Sequence, residues 1–251
     1  MQHGRYSGRC LPHLIGRVRS IFRYPVKSMA GVSLEQAHLG WHGIDGDRRF
    51  AFRRVTETGG MPWLTASRLP RLVLYRPFGR AAEDASLPSH VRTPDGRDLP
   101  LHGDDLRTEI VSACGGEAEL MCLRHGIFDE TPVSILTAAT LNTVAREAGQ
   151  TVDVRRFRPN FFLETSDGGG LPEDAWVGKV LHLGSGPDAP AVAVTMRDER
   201  CAMINLDPDT AASDAAVMKA AVRLNGNNLG VYAVVVRTGT VTRGAEVCLE
   251  G

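Results

Sequence analysis

Apolar residues in this chain come in short runs, and nearly every run ends at a Gly, Pro or Asp. Runs of this length suit strands and fall far below the ~20 residues of a membrane span. Even Val231-Tyr232-Ala233-Val234-Val235-Val236 is only strand-sized. The pattern predicts strands over 16–22, 49–55, 72–76, 107–112, 118–123, 160–164, 179–183, 191–196, 203–206, 231–237 and 241–249. Many are rich in Val, Ile, Phe and Thr, which fit a half-buried pleated surface. Helical spacing is confined to two segments. Residues 137–148 carry Leu141, Val144, Ala145 and Ala148 on one side, with Thr137 to cap the start and Gly149 to end it. Residues 209–224 form the second, with Asp209 as the expected cap. Gly- and Pro-bearing stretches at 77–90, 166–175 and 185–190 read as loops. The expected class is α+β, mainly β, closed into barrel-like sheets. A change in pattern near 124–129 divides the chain into 14–125 and 126–251.

Charge narrows the functions. The chain has 29 basic and 29 acidic side chains, so it lacks the basic excess of a broad nucleic-acid-binding surface. Its five cysteines form no CxxC pair, which removes sequence support for a zinc ribbon or an iron–sulfur cluster. An odd, scattered count points to a reducing compartment, hence a cytoplasmic protein. Residues 1–13 have no apolar core and read as a frayed tail, not a secretory signal.

Five segments carry chemistry. In Tyr24-Pro25-Val26-Lys27-Ser28 a stiff turn follows a strand, and Lys27 either holds an anionic ligand group or is a solvated turn residue. In residues 43–50 a tight Asp-Gly-Asp turn leads to Arg48, whose fork can reach a phosphate or a heterocycle while Asp47 orients it. Three arginines, Arg155, Arg156 and Arg158, stand before an apolar strand. They bind an anion or pair with Asp153 and Glu164, and Asn160 offers a donor and an acceptor to a heterocycle edge. Cys201 closes a polar run in which Arg197 and Arg200 favour a thiolate and Asp198 and Glu199 oppose it. Such a sulfur is a nucleophile, a soft metal ligand or a packed core atom. The Asn- and Gly-rich loop 225–230 is turn chemistry or a ligand contact.

In order and spacing, residues 24–28, 43–50, 70–73, 129–141, 156–160, 200–209 and 227–244 resemble one family. The chain looks like a MOSC-domain protein with its N-terminal MOSC β-barrel domain, similar to the mitochondrial amidoxime-reducing component and its bacterial relatives. The resemblance implies a MOSC β-barrel domain packed with an N-terminal β-barrel-like domain, and a molybdenum cofactor (Mo-molybdopterin) between them. It makes Cys201 the catalytic residue and protein ligand to molybdenum, and Lys27, Ser28, Arg48, Arg158 and Asn160 the cofactor contacts. Family-level association with pyridoxal phosphate binding comes with it. The implied activity is a molybdenum-dependent oxidoreductase that reduces N-hydroxylated or N-oxide-type compounds. Its implied partners are a small-molecule substrate and an external electron-transfer protein, since no ferredoxin domain stands in this sequence; nucleic acid and membrane are not among them.

Two features depart from the family pattern. Glu199 stands where the amidoxime-reducing branch has a small residue, and an upstream Cys of that branch is absent. They weaken the specific activity more than the fold. The missing electron-transfer domain motivates a second reading, a molybdenum-cofactor or persulfide carrier without redox turnover, and a third is a cysteine hydrolase pairing Cys201 with His125 or His182. On local grounds Cys201 is expected to face the site, with Cys10, Cys114, Cys122 and Cys248 away from it.

Overall fold

The computed structural model describes residues 12–166 and 169–250. Cys10 and most of the N-terminal tail lie outside the described residues. The first half holds strands β1 (His13–Arg23), β2 (Val32–Leu34), β3 (Gln36–Gly40), β4 (Gly43–Ile44), β5 (Phe50–Arg54), β6 (Arg76–Phe78), β7 (His90–Arg92) and β8 (Asp98–Pro100). Helix α1 (Asp104–Cys114) and β9 (Ala118–Cys122) complete it. The second half runs β10 (Val133–Thr137), α2 (Ala138–Ala148), β11 (Phe161–Thr165), β12 (Val180–Leu183) and β13 (Ala191–Glu199). It ends with α3 (Ala215–Asn225), β14 (Asn228–Arg237), β15 (Gly239–Thr242) and β16 (Glu246–Glu250).

Seven strands close a barrel in the order β1, β11, β10, β14, β13, β12, β16 and back to β1. The fold is α+β and mainly β. Period-two alternation drives closure, because each strand sends alternate residues inward. Val18 and Ile21 of β1, Val133 and Ile135 of β10, Phe161 and Leu163 of β11, and Val231, Ala233 and Val235 of β14 share one core. On β10 and β11, Leu136 and Phe162 face outward and pack instead with Val144 of α2 and Val217 of α3. Both faces are therefore covered, which explains why β10 is a continuous buried run. β10 and β11 pair in parallel, and α2 lies in the crossover such a pair requires.

β1 comes from the first half yet is a stave of this barrel, and its far end also pairs β2. A second core gathers Val26, Met29, Phe50, Phe52, Leu72 and Leu106 around the short sheet β5–β9 and α1. The turn that follows β1 carries the chain from the first core into the second.

Several expectations need correction. Residues 107–112 are part of α1 and not a strand. Thr108, Ile110 and Val111 favour strands, but Leu106 and Ile110 bury one helical stripe, and Gly115 (φ 71°) closes the helix. Residues 72–76 begin with the 3-10 turn Pro70–Leu74, and the strand starts only at Arg76. The 203–206 run lies in the 3-10 turn Ala202–Asn205. Helix α3 starts at Ala215, where Asp214 accepts from Ala216 N at 2.9 Å, so Asp209 is not its cap. The expected last strand divides into β15 and β16. The 77–90 stretch begins in β6 and ends in β7, and 172–176 form a 3-10 turn. Helix α2 does begin at its Thr137 cap and ends at Gly149 (φ 70°).

Gly16 of β1 pairs Thr165 of β11 on one side and Val247 of β16 on the other. A Cβ there would stand 2.0 Å from the Glu164 carbonyl oxygen, an atom of the neighbouring strand's backbone. Gly16→Ala must therefore push the seam apart. Urea denaturation should show a loss of about 3 kcal/mol, the upper range for overpacking; an unchanged midpoint would mean that the seam does not close the barrel.

Candidate functional site

A cleft of about 700 Å³ opens where the barrel meets the second core. The structure brings Lys27, Ser28, Arg48, Arg158 and Cys201 to its walls, although they span the sequence from the first strand turn to the end of β13. Among the described residues, five non-glycines have φ in the left-handed region, and Ser28 (67°), Arg48 (47°) and Arg158 (53°) are three of them. Each such residue costs about 1–3 kcal/mol and persists only where the surroundings over-determine it.

What over-determines them is a buried polar knot. Asp47 is fully buried and Arg48 is 4% exposed. Asp47 accepts from Tyr24 N at 2.6 Å and from Asn160 Nδ2 at 3.0 Å, and it pairs with Arg48 Nη1. Arg48 also donates Nη1 to Asn160 Oδ1 and Nη2 to the Arg158 carbonyl, both at 3.0 Å. Its Nε meets Asp129 Oδ2 at 2.6 Å. Burial alone would lower the Arg48 pKa, but Asp47 and Asp129 push it above its ordinary value. Asn160 accepts from Ser134 N at 3.0 Å and donates to the Phe22 carbonyl at 3.3 Å.

This knot changes two expected roles. Asn160 is fully buried, lies outside the cleft lining and has its amide engaged on both ends, so it does not read a heterocycle edge. Arg48 lines the cleft, but its fork holds carboxylates and carbonyls, which makes it a positioning residue for the two turns. Asp47 orients it as expected.

The groups that remain free to act are Lys27, Arg158 and Cys201. Lys27 Nζ donates to the Phe128 carbonyl at 2.7 Å. Burial lowers its pKa, and Asp129 pulls it partly back up against Arg48 and Arg158. Arg158 donates Nη1 to the Met29 carbonyl and stacks 4.2 Å from the Tyr24 ring centre. Its neighbours divide as one expectation had it: Arg155 pairs with Asp153 and Asp209, and Arg156 with Asp207 at 3.2 Å. Glu164 instead pairs with Arg19.

Cys201 is exposed to the cleft at the head of the turn Ala202–Asn205. Arg200 does not activate its sulfur as anticipated. It points inward, donating Nε to the Leu229 carbonyl at 2.6 Å and Nη1 to the Phe157 carbonyl at 2.7 Å. Its Nη2 lies 2.8 Å from Asp198 Oδ2. Gly230 (φ 82°) leaves the room, since a Cβ there would sit 2.9 Å from Arg200 Nη2. Arg200 is therefore the peg that fixes the Cys201 loop. Arg197 is paired with Asp174 at 3.4 Å. Cys122, expected to be packed away, is exposed and lines the same cleft, because β9 ends at the rim. Cys114 and Cys248 are half-buried and do not line it. Among the described residues no histidine lines the cleft, so neither His125 nor His182 serves Cys201.

Sequence reasoning missed one wall. Met61, Trp63, Ile127 and Phe128 make an apolar side, with Trp63 and Phe128 edge to face at 4.7 Å. Asp129, Asp198 and Tyr232 were also unassigned. Asp129 and Tyr232 lay within stretches that already carried the resemblance; nothing in the sequence singled out the apolar wall.

Asp198 is 1% exposed and accepts from Ser134 Oγ at 2.8 Å. Burial outweighs Arg200 and the hydroxyl and raises its carboxyl from 3.8 to about 6. Well below pH 3.8 the group is protonated in both folded and unfolded chains. Between 4 and 6 the unfolded chain ionises first, so this group's contribution to stability falls as pH rises, by about 3 kcal/mol at ~1.4 kcal/mol per unit. Asp198→Asn removes the titration. The stability advantage of wild type over this variant should therefore shrink by about that amount from pH 4 to 7, read by urea denaturation across pH. A constant difference would refute the raised value.

The profile of the MOSC domain matches residues 102–248, and that of the MOSC N-terminal beta barrel domain matches residues 15–114. No curated relative matches the sequence. Among solved structures, the YUAD protein from Bacillus subtilis aligns over 96% of this chain and 99% of its own at 15% identity, with a TM-score of 0.51. YiiM from Geobacillus stearothermophilus aligns over 47% of this chain and 53% of its own at 17% identity, TM-score 0.34. YiiM from Escherichia coli aligns over 50% and 57% at 19% identity, TM-score 0.35.

Proposed function

The chain belongs to the MOSC-domain family, and from that premise we propose that it is a molybdenum-cofactor-dependent oxidoreductase. Its substrates on this reading are N-hydroxylated or N-oxide-type small molecules, and its electrons come from an external carrier protein. It works in the cytoplasm, without nucleic acid or membrane. MOSC domains are associated with molybdenum-cofactor binding as a family. Among the described residues, no helix is long and apolar enough to cross a membrane.

The observation that carries the reading is the exposed Cys201 sulfur in a roomy cleft beside Lys27 and Arg158. Among the described residues no group of three His, Cys, Asp or Glu is placed to hold a metal. A single thiolate suits a soft metal that brings its remaining sulfur ligands with it. The residues therefore fit the group. When bound, a molybdenum–pterin cofactor supplies the two-electron exchange and the oxygen-atom transfer. The chain's own part is to bind, orient and exclude water. Lys27, Ser28 and Arg158 would hold the cofactor's anionic end, and Arg48 fixes the Arg158 carbonyl. The Trp63–Phe128 wall shields one side from solvent.

Cys201→Ser keeps the size but replaces a soft thiolate with a hard hydroxyl. Reductase activity per bound molybdenum, with an artificial donor and a hydroxylamine-type compound, should fall to background while the circular dichroism spectrum stays the same. Equal rates would remove Cys201 as metal ligand. Arg158→Lys keeps the charge and loses the planar fork. It should retain less molybdenum and less oxidised-pterin fluorescence per protein than wild type.

The second cleft thiol, Cys122, favours one further reading: a molybdenum-cofactor or sulfur carrier, with a persulfide on Cys201. An inactive wild-type protein whose Cys201 peptide accumulates persulfide would select it.

A further inference from the structure

Reducing the N–O bond of a hydroxylamine or an N-oxide to an amine and water consumes protons as well as electrons. The electrons come from the carrier, and the groups that line the cleft are the chain's own sources of a proton. Its arginines stay charged. Lys27 Nζ is held on the Phe128 carbonyl. Burial raises the Tyr232 pKa, with Asp198 and Asp129 adding to it, so that hydroxyl keeps its proton. On the inner wall stand two carboxyls, Asp129 and Asp198, and their surroundings push them apart. Burial alone would raise Asp129, but Arg48 and Lys27 bring it below its ordinary value and hold it ionised. Asp198 moves the other way, toward the protonated form. A pair of carboxyls separated in this manner within one cleft divides into an acid and a permanent anion.

Three barrel strands set these groups side by side. Ser134 of β10 and Tyr232 of β14 are direct cross-strand partners. Met196 of β13, two residues before Asp198, pairs Tyr232 on its other side. Ser134, Asp198 and Tyr232 all line the cleft. Asp198 is buried between exposed Arg197 and Glu199, so the end of β13 turns this carboxyl alone toward the wall. Ser134 Oγ donates to Asp198 Oδ2 at 2.8 Å, and Arg200 Nη2 approaches the same oxygen at 2.8 Å. Among the described residues Oδ1 accepts no hydrogen bond. The Tyr232 hydroxyl donates instead to Asp129 Oδ1 at 3.5 Å, while Asp129 Oδ2 meets Arg48. The charges that act on Asp198 are Arg200 from the end of its own strand, Asp129 from the loop ahead of β10 and Arg48 from the 43–48 turn. Both arginines and the Ser134 hydroxyl favour the carboxylate, Asp129 favours the acid, and burial decides.

We propose that Asp198 is the acid of this reduction and that, through Oδ1, it gives its proton to the oxygen leaving nitrogen. The proposal rests on the oxidoreductase reading. With a hydroxylamine, the carrier's electron pair enters as the N–O bond breaks, the proton of Asp198 turns the departing hydroxide into water, and a proton from solvent goes to nitrogen. With an N-oxide both protons end on oxygen. The carboxylate left behind takes its proton back from solvent at the mouth of the cleft.

The test uses the full chain, loaded with molybdenum cofactor, an artificial electron donor and a hydroxylamine-type compound. The wild-type kcat should fall as pH rises through about 6, because the acid form of Asp198 is lost there. Asp198→Asn keeps the size and a hydrogen-bond donor but has no proton to give. Its kcat should be about a hundredfold lower, the low end of what a general acid contributes, with KM unchanged and the fall near pH 6 gone. Ser134→Ala removes a hydrogen bond that favours the carboxylate. It should move the fall upward by about one pH unit, the scale of one hydrogen bond to a charged group, and it serves even if Asp198→Asn does not fold. Carbon NMR of the aspartate carboxyls, with and without cofactor, gives a readout apart from activity. One resonance should titrate near the same pH in wild type, titrate higher in Ser134→Ala and be missing in Asp198→Asn. The proposal is overturned if Asp198→Asn keeps the wild-type kcat and pH profile, if Ser134→Ala moves neither the profile nor the resonance, or if Asp198 titrates in the ordinary aspartate range. A loaded wild type that reduces no N–O compound overturns the oxidoreductase reading and this proposal with it; an active wild type matched by Asp198→Asn overturns the proposal alone.

Discussion

The Asp47–Arg48–Asn160 knot is the interaction on which the rest of this structure depends. It joins four segments that are remote in sequence: the end of β1 through Phe22 and Tyr24, the turn at 43–48, Asp129 ahead of β10 with Ser134 inside it, and the Arg158 turn before β11. Removing one partner from such a buried pair typically costs 3–5 kcal/mol, because it strands the other charge. The knot also holds Arg48 and Arg158 in left-handed backbone, which turns the Arg158 side chain against Tyr24 rather than along the strand that follows.

From that arrangement comes the division of charge. Arginines close to the knot and to Asp198 are neutralised inside the fold, and Arg200 and Arg48 act as pegs. Arg158 and Lys27 are left with carbonyl partners only, each donating to one backbone oxygen. A chain with no net charge therefore presents a local cationic wall in its cleft. Cys201 sits at this wall because β13 ends there and Arg200 anchors its last turn, not because its neighbours in sequence are basic.

Much of this was legible beforehand, and the failures have physical causes. The barrel strands could be read because short apolar runs end at turn residues, as in 231–236, while only the fold shows that Val231, Ala233 and Val235 are the ones that enter the core. Residues 107–112 misled because β-branched side chains outweighed a helical stripe of only Leu106 and Ile110. Asn160 and Arg48 were recognised as important, but their partners are 112 residues apart, and local sequence does not say whether a polar group meets a ligand or another side chain. Cys122 looked like a core sulfur because its strand is apolar; only the point where β9 stops leaves it at the rim.

By itself the amino-acid sequence determined the class of fold, the family, and which short motifs carry the chemistry, since apolar runs, turn residues and motif order are local properties of the chain. Tertiary structure alone decided which of those motif residues face open space. Exposure depends on what the rest of the chain places opposite each group. Asp47 and Asp129 engage the fork of Arg48, while Lys27, Arg158 and Cys201 are left lining the cleft.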